Sequence, residues 1–121
     1  MIKYEIASDI KERMGDIINK LKLPFPSDRI ICIRSYGSKS RGTIARCHAL
    51  SRIWQKSLGI KTYYVIEVIA EKFDKESEEE KIKTLVHELL HIPKAFGGGF
   101  KGHRVANKRK VERLYKEFIR K

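Results

Sequence analysis

The run from Thr62 to Pro93 constrains the fold of this chain more than any other stretch. Residues 62–70, TYYVIEVIA, are apolar, β-branched and aromatic, and read as a strand. Ser77, three residues ahead of Glu80, forms a capping box that opens a helix. The acidic run Glu78, Glu79, Glu80 suits the positive end of that helix's dipole and needs no chemical role. Ile82, Leu85, Val86 and Leu89 then fall on one helical face. Pro93 closes the helix, because its ring clashes with the preceding turn and it has no amide hydrogen. A strong strand feeding a capped amphipathic helix implies a sheet with that helix laid against it.

The flanking segments extend the pattern. Residues 8–22 predict a helix that buries Ile10, Met14, Ile17, Ile18 and Leu21, with Asp9 and Glu12 spaced as a capping pair. Pro24 and Pro26 stop it. Residues 29–36, RIICIRSY, read as a second strand, and Ile2, Tyr4 and Ile6 alternate as a short edge would. Gly37 to Gly42 is a loop by composition. Thr43 to Leu58 predicts a helix with Cys47, Leu50, Trp54 and Leu58 on its buried face and Gly59 as its stop. Trp54 thus reads as core, and His48 as structural or exposed. Gly97, Gly98, Gly99 and Gly102 mark residues 94–102 as a flexible connection, and a last helix over 104–120 turns Val111, Leu114, Tyr115 and Phe118 inward. The strand–helix–strand run from 29 to 70 is long enough for a parallel crossover. The expected class is α+β: residues 1–121 as one small domain, a short sheet packed against helices.

The chemistry sits on the central helix, at His87-Glu88-Leu89-Leu90-His91. Histidines four apart project from one face a turn apart, which lets two imidazoles meet one zinc ion at about 2.0–2.1 Å. Glu88, one step from His87, stands beside the water that such an ion activates and can take its proton. With 4 histidines in 121 residues, chance yields this pattern in roughly one chain in a hundred. A catalytic zinc site takes three protein ligands and keeps one position open. His103, brought back by the glycine-rich loop, is the favoured third ligand, and Glu112 on the last helix is its rival.

Charge and cysteine content add weaker constraints. The formal net charge is +12, with eight basic and no acidic side chains over residues 29–61 and nine basic ones from Lys101 onward. Such patches fit a nucleic acid or another polyanion, or a solvated surface. Cys32 and Cys47 form no C-x-x-C pair and read as small buried residues. No apolar run is long enough to span a membrane, and the N-terminal stretch lacks a signal-peptide core, so the expected setting is the cytoplasm with no membrane partner.

The stretch YYVIEVIAEKFDKESEEEKIKTLVHELLHIPKAFGGGFKGH resembles a phage-type and archaeal metallopeptidase family, with the likeness running from about residue 30 to 118. It is more distantly similar to zincins at large, including minigluzincin-like and SprT-like domains. The twelve-residue gap from His91 to His103 departs from metzincins, which place the third histidine six residues on. The resemblance implies a zincin-like fold and a peptide or protein substrate. It implies one zinc ion on His87, His91 and His103, with Glu88 as general base. It also implies that the strand ahead of the motif, residues 62–70, pairs with the substrate. Two other readings use the same residues: a metal-dependent nuclease served by the basic patches, and a zinc-stabilised nucleic-acid-binding module with a closed four-ligand site.

Overall fold

The computed structural model describes residues 1–121 and is an α+β arrangement of four strands and five α-helices. In chain order the elements are β1 (Lys3–Ile6), α1 (Ser8–Lys20), β2 (Ile30–Tyr36), β3 (Ala45–Ala49), α2 (Arg52–Leu58), β4 (Tyr64–Ile69), α3 (Ala70–Phe73), α4 (Glu78–Leu90) and α5 (Lys108–Ile119). The sheet order is β1-β2-β4-β3. β2 and β4 are parallel, with Cys32 beside Ile66, and each outer strand is antiparallel to its neighbour.

The core lies between one sheet face and the helices. Cys32, Tyr64, Ile66 and Val68 supply the sheet side. Ile10, Met14 and Ile17 of α1 and Leu85, Val86 and Leu89 of α4 meet them, and Val111 and Phe118 attach α5. These helical positions recur every three or four residues, so burial of one stripe per helix accounts for the packing. The caps are local: the Ser77 hydroxyl accepts from the Glu80 amide at 3.1 Å, and the Asn107 side chain accepts from the Lys110 amide at 2.9 Å.

Three expectations are corrected. Residues 43–58 are not one helix: Ala45–Ala49 forms the edge strand β3, and only Arg52–Leu58 is helical, ending at Gly59 in the left-handed region (φ 66°). The reason is tertiary. Without β3, one side of β4 would leave its amides and carbonyls unpaired against the core, and the ladder from Ile69–Ile44 to Leu50–Tyr63 satisfies them. Trp54 is consequently exposed, not core. Finally, Asp9 does not cap α1. The cap position is Ala7, and Asp9 instead takes both ends of the Arg34 guanidinium at 2.6 and 2.8 Å. Arg34 also reaches Asp74 at 2.9 Å, so it ties the start of α1 to the end of α3 across the sheet.

Candidate active site

α4 lies alongside β3, and the space between them opens into a cleft of about 750 Å³ that α5 borders on its far side. His87 points into it from the last turn of α4, and His91 occupies the C-terminal cap. His103 enters from the turn that precedes α5. The ligand-capable nitrogens of the three lie within 4.8 Å of one another, and their ring centroids are 5.0–5.4 Å apart. Zinc–nitrogen bonds of 2.0–2.1 Å at tetrahedral angles put nitrogens about 3.4 Å apart. Contraction of about an ångström, within reach of side-chain torsions, would bring the set onto one ion.

The site's support comes from the 97–102 loop, which is held rather than loose. His91 Nδ1 bonds the carbonyl of Lys101, whose own amide donates to the His91 carbonyl at 2.8 Å. That leaves Nε2 of His91 as the ring nitrogen free to meet a metal ion. Phe100 stacks on the His91 ring, 5.2 Å between centroids and 11° between planes. The Tyr64 hydroxyl donates to the Gly99 carbonyl at 2.8 Å and accepts from the Gly98 amide at 3.0 Å. Gly98 has φ 101°, and a Cβ there would sit 2.6 Å from the Leu50 carbonyl oxygen, so glycine alone fits this contact. These bonds replace the flexible connection expected over 94–102.

Electrostatics favour a neutral His87 and a protonatable acid. Burial, then the neighbouring His91 and His103, hold the His87 pKa below its usual value, and an unprotonated imidazole is the metal-binding form. Glu88 is buried, and burial pushes its carboxyl up to about 7, with the positive potential of His48 opposing the rise. Cys47, beside it, is pushed up to about 12 by burial and by Glu88, so it remains a thiol. The rival ligand Glu112 also borders the cleft, but its carboxylate is engaged by Lys83 at 2.9 Å.

Three site features were not anticipated from the sequence. The first is the edge strand. β4 is flanked by β2 and β3, so residues 62–70 cannot pair with a substrate, and that expectation is corrected. β3 borders the cleft instead. Since Ile44 and Leu50 turn their backbone groups to β4, the alternation of an antiparallel ladder turns those of Ala45, Cys47 and Ala49 to the open edge. The second is His48, on β3 and not on a helix, half-exposed at the cleft with its Nε2 2.8 Å from Glu67. Burial would raise the Glu67 carboxyl, but Ser35, His48 and Arg46 together hold it below the ordinary range. A single acid inside the apolar run 62–70 was the available signal for this pair. The third is Tyr64, whose phenol spans from the core to the glycine loop.

The family described as "Putative phage metallopeptidase" matches residues 2–120, further toward both ends than the likeness over residues 30–118. No curated protein and no solved structure matches the chain. With the match covering nearly the whole length and three histidines and a glutamate converging in one cleft, the chain belongs to the phage metallopeptidase family.

Proposed function

We propose that residues 1–121 act as one zincin-like domain that hydrolyses peptide bonds with a single zinc ion held by His87, His91 and His103. The observation that carries this reading is the convergence of three imidazoles within 4.8 Å beside a buried glutamate. An all-imidazole donor set suits zinc, and three protein ligands leave room for substrate. The Lys101 carbonyl on His91 Nδ1 supplies the outer-shell bond that orients a ligating imidazole. When bound, zinc would supply Lewis acidity, polarising the scissile carbonyl and lowering the pKa of water.

The chain's own residues do the rest. Glu88 accepts a proton from the attacking water and passes it to the departing amine, a role that suits a buried carboxyl lining the cleft that the three histidines share. The open edge of β3 offers the amides and carbonyls of Ala45, Cys47 and Ala49 to an extended substrate, which would add to the sheet as a fifth strand. The Cys47 thiol stays protonated and takes no part in proton transfer.

Metal analysis of two variants tests the ligand set. His103→Ala should lose most of its zinc after dialysis, and Glu112→Ala should retain about one ion per chain. The opposite result, with zinc lost only from Glu112→Ala, would replace the third histidine by a helical glutamate and overturn the proposed site.

A further inference from the structure

α2 is the one α-helix that buries no residue. Ile53, Trp54 and Leu58 are 74, 58 and 57% exposed, and Ile60 just beyond it is 44% exposed. A lone apolar side chain in water is ordinary, but four large ones exposed between residues 53 and 60 are a concentration of the kind that marks an interaction site. The inner side of the helix is polar. Gln55 donates to the carbonyls of Leu50 at 2.8 Å and Gly97 at 3.2 Å, and accepts from the Thr62 hydroxyl at 3.0 Å. This amide fixes α2 against the glycine loop and leaves its aliphatic and indole side chains outside.

The patch has a charge of one sign. Arg52, Lys56 and Lys61 make no ion pair, and no acidic residue lies between 29 and 61. Its position is equally particular. β3 ends at Ala49 and α2 begins at Arg52, so α2 adjoins one end of the strand that borders the cleft. The bond from Gln55 to Gly97 joins the helix to the loop that carries Phe100 into the cleft.

We propose that α2 is a substrate-docking surface, which selects extended polypeptide segments whose apolar residues are interspersed with Asp or Glu. This deepens the peptidase reading above and rests on it. Apolar residues of the bound segment cover Ile53, Trp54, Leu58 and Ile60, and its carboxylates meet Arg52, Lys56 and Lys61. The surplus of positive charge on the chain steers such a segment toward the cleft and disfavours basic ones. Three of the four apolar residues are aliphatic and offer no stacking surface to a base, so a nucleic acid would leave them uncovered.

Trp54 is the only tryptophan, so its emission reports on α2 alone. Zinc-loaded, full-length Glu88→Gln protein would be titrated with four probes: a peptide alternating Leu and Val with Asp and Glu, the same peptide with Lys for each acid, anionic phospholipid vesicles, and a single-stranded oligonucleotide. The acidic peptide should move Trp54 emission to the blue and saturate. The Lys peptide should bind at least about tenfold more weakly, as should the acidic peptide when Ile53→Ser and Leu58→Ser are combined or when Lys56→Glu is introduced, since losing one well-covered contact is worth about that factor. These exposed substitutions should leave the melting temperature unchanged. A silent Trp54, equal binding of the Lys peptide, or a response to vesicles or oligonucleotide in place of the peptide would overturn the proposal. Hydrolysis by the wild type without any Trp54 response would sink the docking surface alone. A saturable Trp54 response with no hydrolysis would sink the peptidase reading and leave α2 as a peptide-binding surface.

Discussion

Replacing Glu88 by Gln should stabilise the metal-free protein, and the gain should grow with pH. Burial holds the Glu88 carboxyl at about 7 against an ordinary 4.5. At about 1.4 kcal/mol per pH unit that gap amounts to about 3 kcal/mol. The sign follows from proton linkage. The folded state binds this proton more tightly than the unfolded chain, so the associated stability is complete below about pH 4.5 and is lost as pH rises through about 7. Gln resembles the neutral acid in shape and does not titrate, so it keeps that stability throughout. Urea unfolding in the presence of a chelator should therefore give the two proteins similar midpoints near pH 4.5. The difference should widen across the interval to about 3 kcal/mol in favour of Gln by pH 8. Titrating groups that do not feel the Glu88 charge are shared by the two proteins and drop out of the comparison, while His48 and Cys47, which do feel it, contribute to the difference. A difference that stays constant with pH, or a Gln variant less stable at pH 8, would show that Glu88 is not held in an environment hostile to its charge.

Two further substitutions probe the loop that supports the histidines. Gly98→Ala forces a side chain into the left-handed region and against the Leu50 carbonyl, and should lower stability by about 1–3 kcal/mol, read as a fall in the urea midpoint together with weakened zinc retention. Tyr64→Phe removes one donor and one acceptor from the Gly98–Gly99 backbone and should cost about 1–3 kcal/mol. Hydrogen exchange should show faster exchange at the Gly98 amide and an unchanged rate in α1.

Local signals carried the half of the molecule that matters most for chemistry. β4, the Ser77 cap, the apolar stripe of α4 and the stop at Pro93 are each decided within a few residues, and they place His87 and Glu88 on one helix with His91 at its C-terminal cap. The segment 43–58 went astray because two periods coexist in it. Cys47, Leu50, Trp54 and Leu58 recur at helical spacing, while Ala45-Arg46-Cys47-His48-Ala49 alternates as a strand does. The unpaired side of β4 makes the choice, and that demand comes from residues about twenty positions away. The same non-locality hid the exposure of Trp54, because periodicity shows that a face is apolar and not whether anything covers it. His103 and Glu112 were both available as a third ligand from sequence. Only in space does Lys83 engage Glu112 while His103 joins the other two rings.

Turnover by Glu88→Gln at full zinc loading tests the central claim most directly. The variant and the wild type would each be loaded to one zinc per chain, and hydrolysis of an unstructured protein such as casein, alongside acidic–apolar peptides, would be followed per bound ion. Loss of the general base should lower the rate by about 10²–10⁴-fold, with zinc content unchanged. A variant as active as the parent, or one that cannot hold zinc, would contradict the assignment of Glu88 as the proton acceptor standing outside the ligand set.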